Sequence, residues 1–390
     1  MRTTVRSKKA ECTGCSACAL ICPKHAISMR PDVEGFLYPS VNDTCVNCDQ
    51  CERRCPSGVL NQAPLHEAWA AQNRSLVKRE AASSGAIFIE LAEQTLMHGG
   101  VVFGAVFDEK LKVEHVGSIT LEDVEEMRGS KYVQSDIYEG MRHAVDLVRR
   151  KIPVLFSGAP CQIAGLYAAL GNNRPDHLLT VDFVCHGTPS PGVFASYLKE
   201  LEAEKGKRIT AYRFRDKTLG WKNFSAKATF EDGDMYSGTQ TTEPYLLGFL
   251  QNLYLRPACH FCMIRDGYHA ADLTLGDLWG ASEILPGRDD DTGLSLVIAN
   301  TEYGKRALGA CVSLDRYPLE DLSLLRRVNP SLFEPSKPHE RRERFFKFYQ
   351  KEGFRKRRIQ KLLHPGRAER FLTRICRLPG ALKRRLNALR

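Results

Sequence analysis

The chain has 390 residues, 43% of them hydrophobic, with 26% charged and a formal net charge of +10. This is enough apolar material for two or three packed domains, which excludes a disordered or low-complexity protein. The opening "MRTTVRSKKAE" lacks the charged, apolar and small-residue pattern of a secretory signal. Apolar runs such as "VVFGAVF" fall far short of the ~20 residues of a spanning helix. The chain therefore reads as cytoplasmic, and the tight C-x₂-C spacing among its fourteen cysteines favours metal or cluster ligation over disulfides.

The first of those ligands come at once. "CTGCSACALICP" spaces Cys12, Cys15, Cys18 and Cys22 as C-x₂-C-x₂-C-x₃-C followed by proline, and "CVNCDQCERRCP" repeats the spacing with Cys45, Cys48, Cys51 and Cys55. Three thiolates of each run wrap one 4Fe–4S cubane, and the fourth crosses to the other cluster. Cys12, Cys15, Cys18 and Cys55 are thus assigned to one cluster, and Cys45, Cys48, Cys51 and Cys22 to the second. Paired C-x₂-C units can also hold zinc, but two copies of this longer spacing fit zinc poorly. His25 has no place in the pattern and reads as a surface residue. Residues 1–61 are predicted to form an α+β ferredoxin-like two-cluster module.

Residues 62–335 read as a mixed α/β domain. "SSGAIFIELAEQTLMHGG" is a helix with Ser83 and Ser84 as cap candidates, followed by strands at "VVFGAVFD" and "VEHVGSIT" and helices at "LEDVEEM" and "MRHAVDLVRR". "IPVLFSGAPCQIAGLYAAL" and "LLTVDFVCHGTPSPGVFASYLKEL" each read strand, turn, helix, with Cys161 and Cys185 at the turns. In a parallel sheet both thiols stand at C-terminal strand edges, where such folds place their sites. "RPACHFC" adds Cys259 and Cys262, so a third four-thiolate site can be assembled. Taken singly, each of these cysteines reads as a small buried residue. Cys311 and Cys376 have no partners of suitable spacing and read as structural or free thiols.

The segments "SGAPCQIAGL", "VDFVCHGTPSP", "RFRDKTLGW", "CHFC", "ADLTLGDLWG" and "GLSLVIANT" resemble, in order and over roughly residues 65–335, the family of coenzyme F420 hydrogenase/dehydrogenase beta subunits. The likeness is to members that carry an N-terminal two-cluster module. It implies FAD in the α/β domain beside a 4Fe–4S cluster held at positions matching Cys161, Cys185, Cys259 and Cys262. It also implies that Asp277 and Trp279 lie close to the site.

No G-x-G-x-x-G follows a strand, so an ordinary dinucleotide-binding turn is not expected. The flavin candidates are Ser83, Ser84 and Gly85 in "ASSGA", with small residues suited to a pyrophosphate, and Gly129, Ser130, Lys131, Tyr132, Gln134 and Ser135 in "RGSKYVQS". Lys131 would sit near the flavin pole that becomes anionic on reduction, and His186 could donate a proton; a polar turn is the plainer reading of the second segment. Arg213, Arg215, Lys217 and Lys222 around Gly220-Trp221 suit an anionic substrate, although protective charges on a hairpin edge would look similar.

From His339 to Arg390 there are 18 Lys/Arg and 4 Asp/Glu, a balance of +14, which leaves −4 for the preceding residues. Residues 336–390 read as a tail of basic amphipathic helices, fitted to an anionic membrane or an acidic partner, or else packed on the body. Peripheral contact with the inner membrane face follows from the first option, and nucleic acid is not expected as a partner. The sequence thus predicts an iron–sulfur flavoprotein oxidoreductase that joins a one-electron partner, such as ferredoxin or another electron-transfer protein, to a small two-electron substrate. Coenzyme F420 is one candidate substrate. The alternative is an electron-transfer subunit without its own substrate that feeds a partner enzyme.

Overall fold

A computed structural model describes residues 9–56, 67–262 and 269–363. Cys376 and the second half of the basic tail lie outside the described residues.

In the N-terminal module each cysteine run closes on a short helix, α1 (Ala17–Ile21) in the first and α2 (Gln50–Arg53) in the second. Between them β1 (Ile27–Pro31) and β2 (Leu37–Val41) pair antiparallel, with Ile27 opposite Val41. The two runs are conformational copies. Gly14 and Asn47 hold the position before the second cysteine at φ 74° and 53°, and Ser16 and Asp49 hold the position after it at φ 64° and 57°. Left-handed residues at matched positions curl the backbone so that successive N–H groups face inward, the concave form that suits anionic groups and iron–sulfur centres.

The α/β domain is built on one large sheet. Its central strands are parallel: β4 (Val101–Phe107), β6 (Val154–Ser157), β7 (Leu178–Phe183) and β11 (Leu273–Asp277). The antiparallel strands β5 (Val113–Ser118) on one side, and β12 (Ser295–Ala299), β3 (Glu67–Asn73) and β13 (Leu314–Pro318) on the other, complete it. The order across its eight strands is β13-β3-β12-β11-β7-β6-β4-β5. Side chains alternate between two cores, as the period of two demands. Val102 and Leu155 join α4 (Ile87–Met97) on one face, while Val101, Phe103, Val154 and Phe156 join α6 (Tyr138–Arg149) and α7 (Pro160–Ala169) on the other. Shorter helices α3 (Leu76–Ala81), α5 (Leu121–Met127), α10 (Ala281–Ile284), α11 (Glu302–Ala310) and α12 (Ser323–Val328) fill the connections.

Ser83 and Ser84 do not cap α4: Ala86 takes that place at φ 63°, and the Ser83 hydroxyl is bonded to Ser130 instead. A smaller antiparallel sheet, β8 (Ile209–Asp216), β9 (Ser225–Phe230) and β10 (Met235–Thr239), packs with α8 (Pro191–Lys205) and α9 (Pro244–Leu250) around a third core rich in Phe and Tyr.

That core changes the reading of the tail. Helices α13 (Arg342–Glu352) and α14 (Lys356–Leu363) bury Phe345, Phe346, Ile359, Leu362 and Leu363 in it, so the apolar face expected to meet a membrane is spent on the body. Arg342 also pairs with Glu34 at the tip of the β1–β2 hairpin, and Phe36 from that hairpin is fully buried in the same core. The described part of the tail therefore packs on the body and grips the N-terminal module. Among the described residues no helix is long and apolar enough to cross a membrane.

Candidate functional site

The crossed arrangement of the first eight cysteines is visible in how they group. One small cavity is lined by Cys12, Cys15, Cys18 and Cys55 together with Met29 and Pro39. A second is lined by Cys22, Cys45, Cys48 and Cys51 with Ile27 and Val46. Among the described residues no three His, Cys, Asp or Glu side chains converge as a single ion would require. The thiols of each set surround a space, as the ligands of a cubane do. Burial, together with the neighbouring thiols Cys55 and Cys12, pushes the Cys15 thiol up to about 11, and burial pushes Cys18 higher still. Iron would offset that cost by its own charge. Each set has one buried thiol, Cys15 in the first and Cys51 in the second, but the second set alone has an exposed one, Cys48, beside Val46, which is 55% exposed. The outer set is the one open to a partner.

Cys161, Cys185, Cys259 and Cys262 are neighbours as well. Burial raises the Cys161 thiol well above its ordinary value, followed by the influence of Cys185, Cys262, Cys259 and then Cys15. Cys161 stands in the first turn of α7, Cys185 follows β7, and Cys259 lies in the 3₁₀ turn Pro257–Phe261 with its sulfur accepting the Thr188 N–H at 3.3 Å. The inclusion of Cys15 is informative, because it means the inner N-terminal set and this third set lie side by side. Helix α7 explains the approach: a Cβ on Gly165, one turn beyond Cys161 on the same face, would stand 3.0 Å from the Cys15 sulfur. Cys311 is fully buried and bonds Ala307, as a structural thiol does.

Cys185 and His186 then open onto a cavity of ≈ 630 Å³ at the C-terminal ends of β6, β7 and β11. Its size and its place at the strand ends suit a small ligand or cofactor. Both predicted flavin segments line it, through Ser83, Ser84, Gly129, Ser130, Lys131, Tyr132, Gln134 and Ser135. Ser83 ties the segments together: its hydroxyl lies 2.9 Å from that of Ser130 and accepts the Ser130 N–H at 2.7 Å. Gly85 is set apart. It lies behind the wall, its N–H donating to Ser295 Oγ at 2.9 Å, with no room for a side chain against the Ala71 carbonyl. Gln134 turns toward the N-terminal module, where its carbonyl accepts from Leu37 N and Arg256, and the Ser135 hydroxyl accepts from Gln162. Lys131 donates to the carbonyls of Glu126 and Arg128 at 2.7 and 2.9 Å, and burial brings it down to about 7.

The cations of "RFRDKTLGWKNF" do not converge. A register shift between Arg213 and Asp216 turns Arg215 inward, away from the exposed side of Arg213. Arg215 lines the cavity but is ion-paired with Asp277, Lys217 donates to the Thr292 and Arg79 carbonyls, and Lys222 pairs with Asp289. Of these cations Arg215 and Lys222 are thus paired with carboxylates distant in sequence, while Lys217 is held by backbone carbonyls. Asp277 also accepts from the Trp221 indole at 2.9 Å, and Trp221 stacks on Trp279, a lining residue, at 5.0 Å.

Sequence reasoning missed His115 and Arg256. His115 lines the cavity, lies 3.0 Å from the Ser157 carbonyl through Nε2, and is lowered to about 4 by burial. Its other nitrogen and the Ser84 hydroxyl have no partner among the described residues, and neither do Nε and Nη2 of Arg215, so several polar atoms of this wall are left for a ligand. Nothing in "VEHVGSIT" marks His115, whereas Arg256 could have been noticed as the charge in an apolar stretch just ahead of the C-x₂-C pair.

These features define an iron–sulfur redox protein: a ferredoxin-like module docked on a mixed α/β domain that carries a ligand-sized cavity beside further thiols. Comparison with known proteins narrows the class. Residues 11–59 match the 4Fe–4S dicluster domain, and residues 153–323 match the C terminus of the coenzyme F420 hydrogenase/dehydrogenase beta subunit. The chain thus resembles that family of beta subunits over residues 153–323, with a stretch similar to a dicluster module at its N-terminal end. It is 22% identical over 191 residues to one component of the F(420)H(2) dehydrogenase of Methanosarcina mazei, a match covering 45% of this chain and 53% of the relative. The chain thus spans about half the length of that relative. An uncharacterized ferredoxin of Methanocaldococcus jannaschii is 34% identical over 50 residues, covering 13% of this chain and 65% of its own length. A chain of the F420-reducing NiFe hydrogenase complex of Methanosarcina barkeri aligns with a TM-score of 0.49 and 19% identity, over 70% of this chain and 91% of that one.

Proposed function

We propose that the chain is an iron–sulfur flavoprotein oxidoreductase with three 4Fe–4S clusters and one FAD, joining a one-electron partner to a small two-electron substrate. The observation that carries this reading is the order of sites: the exposed outer cysteine set, the inner set, the third set brought near it where Gly165 of α7 packs on Cys15, and the cavity onto which Cys185 opens. Bound clusters would supply one-electron transfer, and a flavin in the cavity would supply the exchange between single electrons and pairs.

The protein's own groups have distinct tasks in this scheme. Ser83 and Ser130 lock two segments into one wall, while the Ser84 hydroxyl and the second nitrogen of His115 offer hydrogen bonds to the cofactor. Lys131, poised near neutral pH in that wall, can hold or release a proton beside an anionic ring. His186 joins the third thiol set to the cavity, where it can donate a proton to the substrate. Lys217 and Lys222 are engaged by the protein itself and Arg213 is exposed, whereas Arg215, paired with Asp277 through Nη1, keeps Nε and Nη2 for an acceptor group of a small-molecule substrate. The deazaflavin F420, which the relative's name mentions, is one candidate. A redox protein would dock at the outer set, where Val46 and Cys48 are exposed.

Iron and flavin should be counted on protein purified without oxygen. About twelve irons and one FAD per chain support the reading, and a Cys259→Ser/Cys262→Ser variant should then lose about four irons. About eight irons and no flavin would sink the enzyme assignment. Full cofactor content without turnover of any small molecule would instead favour an electron-transfer subunit that feeds a partner enzyme.

A further inference from the structure

The two N-terminal cysteine runs are copies in spacing and backbone conformation, yet their surroundings are unequal. On the inner set Arg256, 1% exposed, donates from Nε to the Cys12 carbonyl at 2.7 Å and directs Nη2 toward the Cys12 sulfur at 3.6 Å. The same guanidinium reaches the Leu37 carbonyl at 3.0 Å and the Gln134 side chain at 3.2 Å, and lies 4.0 Å over the Tyr38 ring. Its backbone N–H is bonded to Thr188, and it immediately precedes the turn that carries Cys259. On the outer set Arg53 donates to the carbonyl of the second cysteine, Cys48, rather than the first, and is exposed.

From this we infer that Arg256 sets the order of potentials of the two N-terminal clusters, making the inner one the easier to reduce, while fixing the inner loop against the third thiol set. The physical basis is the additional negative charge that reduction places on a cluster. A cation in a dry site stabilises that charge strongly, whereas an exposed one is screened by water. A guanidinium cannot lose its proton and presents a rigid fork, so it can bond the carbonyl and approach the sulfur together. Electrons entering at the exposed set would then run downhill toward the cavity. Arg256 is a positioning and tuning residue, and the inference rests on the cysteine assignment proposed above.

The test is an EPR-monitored redox titration of the full chain, prepared without oxygen, comparing wild type with Arg256→Met and Arg256→Lys. The midpoint of the Cys12 set should move to more negative potential in Arg256→Met, by a smaller amount in Arg256→Lys, while that of the Cys45 set stays in place. Cys55→Ser and Cys22→Ser variants identify the two signals. Unchanged midpoints with full iron content overturn the inference. If Arg256→Met loses iron, wild-type protein carrying ¹⁵N-guanidinium arginine decides: a nitrogen coupling on the reduced inner cluster, absent in Arg256→Lys, supports it, and no coupling overturns it. Absence of both low-potential signals and of iron in the wild type would defeat the cysteine assignment itself, a different result from clusters present but unmoved.

Discussion

Gly165 and Cys15 are in direct contact: a Cβ on Gly165 would stand 2.9 Å from the Cβ of Cys15 and 3.0 Å from its sulfur. Only glycine lets α7 lie this close to the first cysteine loop. Gly165→Val should therefore separate the module from the body, at a cost of about 1–3 kcal/mol from overpacking. A lowered thermal midpoint together with partial loss of iron is expected; an unchanged midpoint and iron content would show that the loop yields freely.

The crossed cavities predict which irons each terminal cysteine holds. Cys55 lines the cavity of Cys12, Cys15 and Cys18, not that of its own run. Cys55→Ser should abolish or alter the EPR signal of the inner set and leave the outer one intact, and Cys22→Ser should do the reverse. Loss within the mutated residue's own run would overturn the crossed assignment.

Glu243 offers a test of stability against pH. It caps α9 by accepting the Leu246 N–H at 2.6 Å, is fully buried, and burial pushes its carboxyl up from 4.5 to about 7. A raised carboxyl pKa means that the folded state binds more protons than the unfolded one between about 4.5 and 7, so stability falls as pH rises through that window. Glu243→Gln keeps the cap without the charge. It should stabilise the protein at pH 8 by up to about 3 kcal/mol, with the difference vanishing near pH 4.5. Denaturant midpoints at the two pH values measure it, and equal gains at both would exclude titration as the cause.

The Arg215–Asp277 pair predicts an asymmetric cost. The arginine side chain is 3% exposed and the aspartate 15%. Asp277→Asn leaves the guanidinium buried without its counter-charge and should cost about 3–5 kcal/mol. Asp277→Asn combined with Arg215→Met should recover part of that loss in the denaturant midpoint; no recovery would mean that the indole bond of Trp221 carries the effect.

Ser83 tests the cavity wall. Ser83→Ala removes both hydrogen bonds to Ser130, each of a kind that contributes about 1 kcal/mol. FAD retention through gel filtration should fall while iron content stays constant, and flavin retained at wild-type level would detach the serine from cofactor binding.

The two cysteine runs, the grouping of Cys55 with the first and Cys22 with the second, and the strand-end placement of Cys161 and Cys185 are legible in the chain alone. Each depends on spacing within one or two turns of backbone, and covalent geometry fixes what such spacing can reach. Hydrophobic periodicity likewise marks the strands and helices of the α/β domain, because the alternation that buries one face is local. The tertiary structure decides the rest. The cationic loop is misleading in sequence, since Asp277 and Asp289, which pair with Arg215 and Lys222, are some sixty residues away. The start of the tail looks free because the Phe- and Tyr-rich core that takes up its apolar face is assembled from α8, β8 and α9. Ser83 reads as a helix cap until Ser130 is brought to its hydroxyl. Above all, no pattern in the sequence separates Cys12 from Cys45. Their surroundings differ because folding buries Arg256 against one run and sets the exposed Arg53 beside the other, and the strength of a charge depends on the water left around it.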